Sequence, residues 1–246
     1  MQHRSKKIKK SFFIILVVLI VLSGGSAIYL GNYYHSVDVE KYMNGSSEVS
    51  VEKFDKGWFF DGAGEEKALI FYPGAKVATE AYAPLMYQLA ESGIDCFLVD
   101  MPFHMAFFGM NRAEEIMQEY NYEAWYLGGH SLGGAMAANF VAGYVEDHTD
   151  GIRGLLLLAA YPTKDLSTSD MSVVTVYGSE DGVLNMDKIV AGRELMPQDY
   201  KEVCIEGGNH AQFGSYGAQK GDGTAAIPAE EQWARTVEVF VGDESE

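Results

Sequence analysis

Beyond residue 48 the chain alternates between short runs that are apolar throughout and longer segments whose apolar residues recur every three or four positions. Residues 68–72 (ALIFY), 96–99 (CFLV), 124–127 (AWYL), 155–160 (LLLLAA) and 173–177 (VVTVY) are of the first kind. Runs this short and this uniformly apolar predict strands covered on both faces of a sheet. Tyr82, Leu85, Met86 and Leu89 fall at i, i+3, i+4 and i+7, which predicts a helix over 79–92 with Pro84 near its start. Further helices are expected over 111–120, 132–145, 187–195 and 230–241, the last with Trp233, Val237 and Phe240 on one side. Residues 200–205 are more polar, as suits an edge strand. At the front, 49–54 and 58–60 flank Asp55-Lys56-Gly57 and predict a strand–turn–strand. The whole reads as an α/β fold: a mainly parallel central sheet with helices on both faces and an antiparallel strand pair at the front. The stretch 161–172 is too short for a helical lid, so no cap domain is expected.

The first 47 residues follow a different pattern. A basic tail, 1–10, precedes an uncharged segment, 11–34, whose densest apolar part is 12–22. The apolar stretch to Leu30 has the ~20 residues that a spanning helix needs. Lysines on its leading side would keep that end in the cytoplasm and put the body outside. Gly25-Ser26-Ala27 also has the shape of a signal-peptide cleavage site, which would give a secreted protein instead. The uncleaved anchor is the reading adopted, because apolar character resumes at Ile28, Tyr29 and Leu30 and is followed by Tyr33 and Tyr34. Residues 35–47 are polar and read as a linker, leaving 48–246 as the folded domain.

Composition narrows the classes of function. The 246 residues are 48% hydrophobic and carry a formal charge of −17, although residues 1–35 hold five cations and no acid. A body that acidic repels phosphate backbones, so nucleic acid is not an expected partner. Two cysteines, Cys96 and Cys204, fall on an early and a late strand and are expected unpaired. No Cys or His spacing resembles a metal site, and neither metal nor cofactor is expected. Nothing in the sequence speaks to oligomeric state.

The chemistry concentrates in three places. Gly129-His130-Ser131-Leu132-Gly133 matches G-x-S-x-G between a predicted strand and a predicted helix, where that motif makes a sharp turn with the serine at its tip. Gly129 and Gly133 would remove the collisions such a turn creates. A serine hydroxyl needs a base, and the base an orienting acid. Of six histidines, His210 in Gly207-Gly208-Asn209-His210 directly follows the last strand, so its loop reaches the edge where parallel strands end. Asp181 in Gly178-Ser179-Glu180-Asp181 follows the preceding strand at that same edge, with Glu180 as second choice.

The order Ser131…Asp181…His210 resembles the α/β-hydrolase superfamily, and more closely its small, lidless, dienelactone-hydrolase-like branch of membrane-tethered bacterial type. The resemblance covers roughly residues 66–241 and rests on Phe71-Tyr-Pro-Gly-Ala-Lys76, Gly129-His-Ser-Leu-Gly133, Gly178-Ser-Glu-Asp181 and Gly208-Asn-His210. It implies backbone oxyanion donors at Ala75 and Leu132. Dienelactone enzymes use cysteine where this chain has Ser131, so their substrate does not carry over. Pro73-Gly74-Ala75 also replaces the His-Gly of many esterases. Lys76 is a candidate for attracting an anionic substrate, or a solvated lysine. Phe103 and His104, in an aromatic- and methionine-rich loop, and Tyr161 are candidates for the pocket wall.

Two classes of function fit these features. One is a serine hydrolase cleaving a carboxylic ester or related acyl bond of a small-molecule substrate. The other is a catalytically silent binding module of the same fold, tethered to the membrane. The complete Ser, Asp and His set favours the first.

Overall fold

The computed structural model describes residues 31–148 and 151–243. The basic tail and nearly all of the apolar segment lie outside the described residues. Among the described residues, no helix is long and apolar enough to cross a membrane. From Tyr34 onward the chain forms one unit.

Its elements are α1 (Glu40–Met43), β1 (Ser50–Phe54), β2 (Gly57–Asp61), β3 (Lys67–Tyr72), α2 (Ala83–Glu91), β4 (Asp95–Val99), α3 (Arg112–Glu119), β5 (Ala124–His130), α4 (Leu132–Asp147), β6 (Ile152–Leu158), β7 (Ser172–Gly178), α5 (Met186–Gly192), β8 (Tyr200–Ile205) and α6 (Ala229–Asp243). The strands form one sheet in the order β1-β2-β4-β3-β5-β6-β7-β8. The hairpin β1–β2 and the pair β2–β4 are antiparallel, and all other neighbours are parallel.

Residue alternation within the strands builds two cores. Leu69 and Phe71 of β3 pack with Leu85, Leu89, Trp233 and Phe240 of α2 and α6 on one face. Ala68, Ile70 and Tyr72 pack with Ile116, Ala138 and Val141 of α3 and α4 on the other. Each large side chain fully buried this way stabilises the fold by roughly 1.5–3 kcal/mol, which is why β3 and β4 show almost no polar position. The chain passes from β3 to β4 on one side, then crosses back so that β5 lies on the other side. Such a reversal opens a crevice at the carboxyl ends of the two central strands.

Several boundaries differ from the sequence expectation. The segment 79–92 begins as a 3₁₀ turn, Thr79–Tyr82, and the α-helix starts at Ala83 with Pro84 in its first turn, where a missing N–H costs no helical bond. β5 runs three residues past 127, because Gly128, Gly129 and His130 still pair with β6. β6 stops at Leu158, and Ala159 leaves the sheet with φ 46°.

The stretch 35–47 is not a free spacer. It carries α1, and Tyr42 sets its ring edgewise against Trp233 and Tyr87, with centroids 6.1 and 5.6 Å away. Two apolar residues, Val39 and Tyr42, anchor it, which is too few to register as a period. Between β6 and β7, residues 159–171 form turns without a helix. Cys96 and Cys204 lie on β4 and β8, with four strands between them, and are not bonded to each other.

Candidate active site

β5 ends at His130 and α4 begins at Leu132, so Ser131 alone makes the turn between strand and helix. Its backbone sits at φ 53°, ψ −120°, a conformation that costs a non-glycine residue about 1–3 kcal/mol. The turn is held by Ser131 N–H donating to Leu158 O at 2.9 Å and by Ala135 N–H donating to Ser131 O at 3.1 Å. Two glycines make the closeness feasible. A Cβ on Gly129 would stand 2.5 Å from the Gly133 carbonyl carbon, and one on Gly133 would strike the carbonyl oxygens of Tyr72 and Pro73.

The loops after β7 and β8 meet beside this turn. The Asp181 side chain reaches His210, with Oδ2 2.8 Å from Nδ1, and both side chains are at most 2% exposed. The other oxygen, Oδ1, accepts from the N–H groups of Val183 and Leu184 at 2.9 and 2.8 Å. One oxygen therefore fixes the carboxylate while the second orients the imidazole. With Nδ1 donating to a carboxylate, Nε2 is left as the basic nitrogen. Glu180, the second choice, is exposed and accepts from Ser179 Oγ at 3.3 Å instead.

Ser131 and His210 line one cavity of about 260 Å³, together with Leu132, Ala159, Tyr161 and Leu184. Leu132 is the first residue of α4, so its N–H has no intrahelical partner and lies at the positive end of the helix dipole. Ala75 lies in the turn after β3. Among the described residues its N–H donates to no backbone carbonyl, whereas Lys76 N–H next to it donates to His104 O at 2.7 Å.

Of the four candidate wall residues, Tyr161 lines the cavity, and Lys76, Phe103 and His104 do not. Phe103 and His104 both have positive φ, at 57° and 55°, and the His104 carbonyl is taken up by Lys76 N–H. Phe103, Phe107 and Phe108 form an exposed aromatic cluster with centroids 4.2 and 5.6 Å apart. The wall comes instead from the segment between β7 and α5, residues 183–185. Asn185 there caps α5, its Oδ1 accepting from Lys188 N–H at 3.2 Å. An Asn ahead of an apolar helix was the one readable signal for this segment.

His130 lies beneath the turn, buried, with its Nδ1 2.7 Å from Tyr82 Oη; that hydroxyl also accepts from Gly74 N–H at 3.0 Å. This links the serine turn to the turn that holds Ala75. Burial, and next the charge of the His210 ring 4.4 Å away, hold the His130 pKa well below its ordinary value. In the unfolded chain the ring titrates at about 6.5, so below that pH the unfolded state binds the extra proton. Stability is therefore whole above about pH 6.5 and lost as the pH falls, by up to about 1.4 kcal/mol per pH unit from this group. Chemical denaturation at pH 7.5 and 5.5 should show that dependence reduced by one proton in His130→Gln; an unchanged slope would remove His130 as the source.

The model of the α/β hydrolase family matches residues 68–234. No curated protein matches the chain by sequence. Many solved structures share its fold. A membrane phospholipase A, a bacterial virulence factor, aligns over 96% of this chain and 100% of its own at 13% identity and a TM-score of 0.61. Carboxyl esterase 2 of the mycorrhizal fungus Tuber melanosporum aligns over 85% and 89% at 12% identity and 0.60. Est1E of Butyrivibrio proteoclasticus aligns over 81% and 100% at 15% identity and 0.55. With the family model spanning more than half of its length, the chain belongs to the α/β hydrolase family.

Proposed function

We propose that the protein is a serine hydrolase that cleaves a carboxylic ester or related acyl bond through an acyl-enzyme on Ser131. The observation that carries this reading is the 2.8 Å contact of His210 Nδ1 with Asp181, in which the base opens into the same cavity as Ser131. Ser131 Oγ attacks the substrate carbonyl carbon, and its proton passes to His210 Nε2. The carbonyl oxygen gains the negative charge and is met by the N–H groups of Ala75 and Leu132. Loss of one such donor costs about 2.7–4 kcal/mol in comparable hydrolases. Collapse of the tetrahedral species expels the alcohol or thiol, which takes the proton back from His210. Water then repeats the sequence and releases the acid. Asp181 orients the ring and stabilises the imidazolium.

The short connection after β6, turns without a helix, supports assignment to the small, lidless, dienelactone-hydrolase-like branch. The proposal places the domain outside the cytoplasmic membrane, tethered by the apolar segment behind the lysine cluster. A fluorophosphonate probe tests the chemistry. One adduct per chain, mapped to Ser131 and absent from Ser131→Ala, is expected; an adduct on another residue would overturn the assignment.

A further inference from the structure

Asp222 lies in the long excursion between β8 and α6, twelve residues past His210 and forty past Gly182. Its carboxylate accepts four backbone N–H groups. Oδ1 takes those of Gly182 at 3.1 Å, His210 at 3.2 Å and Gly223 at 2.9 Å, and Oδ2 takes that of Ala211 at 2.8 Å. Two of these donors belong to the loop that carries the base, and one follows the acid directly in sequence. Neighbouring contacts show how close the three loops are. A Cβ on Gly223 would strike the Glu180 carbonyl oxygen, and one on Gly182 would stand 2.6 Å from Gly221 O.

The Asp181 and His210 side chains are 29 residues apart in sequence, and each sits on a loop with no ladder of its own. Their hydrogen bond has the correct length only if both loops are fixed with respect to each other. Buried Gln232 of α6 grips one loop, accepting from Asn209 N–H at 3.0 Å and donating to Asn209 O at 2.8 Å. Among the described residues its side-chain bonds stop there, and nearer the strands the two loops are joined by Glu180 N–H donating to Gly208 O and Gly207 N–H donating to Ser179 Oγ, both at 2.8 Å. Asp222 reaches both loops.

We infer that Asp222 is a positioning residue, a carboxylate outside the Ser131–His210–Asp181 set that locks the acid loop to the base loop. This rests on the serine hydrolase reading above. Misplacement of a reacting group by about 1 Å can cost on the order of 10²-fold in rate. Removing the carboxylate frees the Gly182 and His210 peptides together, so the loss falls on kcat and spares KM.

The test uses the full chain, p-nitrophenyl butyrate as substrate, and Asp222→Ala and Asp222→Asn beside Ser131→Ala. Circular dichroism reports the fold, and the downfield proton resonance of His210 Nδ1–H reports the acid–base hydrogen bond. Asp222→Ala should lower kcat about 10²-fold with KM changed less than about threefold, and should shift or lose the resonance. Asp222→Asn keeps an oxygen for the three Oδ1 contacts and turns its amide nitrogen toward Ala211 N–H, so it should fall between the two. Folded variants within about threefold of wild type in kcat, or a slowed variant whose resonance is unmoved, would overturn the inference. So would an Asp222→Asn protein that does not fold, since Asp222 would then serve the fold alone. If Ser131→Ala retains wild-type turnover, the serine reading fails instead, while the resonance in the Asp222 variants still reports whether Asp222 holds the pair.

Discussion

Ser131→Ala is expected to lower kcat for an acyl ester by about 10⁶-fold, with little change in thermal stability. The size follows from a comparable serine hydrolase, where loss of the nucleophile alone costs as much as loss of the whole catalytic set. The stability expectation follows from the local structure. The turn is held by the N–H and carbonyl of residue 131, which alanine retains, and Ser131 lines the cavity. Alanine still bears the cost of the left-handed backbone, as serine does. His210→Ala should match Ser131→Ala, and the double variant should be no slower than either, because without its base the serine has no activated proton to lose. A steady-state comparison of the four proteins decides the matter. Additive losses would mean that the serine and the histidine act in separate steps.

The parts of the fold that were legible in the sequence are those where one physical constraint dominates. Strands β3 to β7 are apolar on both faces because helices cover both, which is the environment that runs such as ALIFY and VVTVY suit. The Ser131 turn was legible because its glycines answer to backbone collisions that any sequence must avoid. What was hidden depends on contacts between loops distant in sequence. Nothing around Asp222 marks it except glycines on either side, which signal a turn and no partner. The wall of the cavity was misread for a related reason. A Phe- and Met-rich loop has pocket-like composition, but three of its phenylalanines are exposed and pack on one another, and the positive φ angles at Phe103 and His104 have no sequence signature in non-glycine residues. Residues 35–47 looked like a linker because docking through Val39 and Tyr42 depends on shape rather than on a repeat.

Two glycines of the same helix should respond to alanine in opposite directions. At Gly133 the added methyl meets the carbonyl oxygens of Tyr72 and Pro73, which are backbone atoms at the end of β3 and have no side-chain freedom to yield. Relief requires α4 to lift from the sheet or the turn after β3 to retreat. Each of these carries one of the two N–H groups assigned to the oxyanion. Gly133→Ala should therefore lose about 3 kcal/mol of stability, at the upper end of ordinary overpacking, and at least about 10²-fold in kcat. At Gly143, ten residues along α4 and exposed, a Cβ meets nothing within 4 Å. Gly143→Ala should add roughly 0.5–1 kcal/mol, as expected for removing glycine from a helix interior, and leave kcat unchanged. Urea denaturation and ester turnover on the two variants give both numbers. A Gly133→Ala protein as stable and active as wild type would mean that the close approach of α4 to the β3 turn is not what sets the position of Ser131.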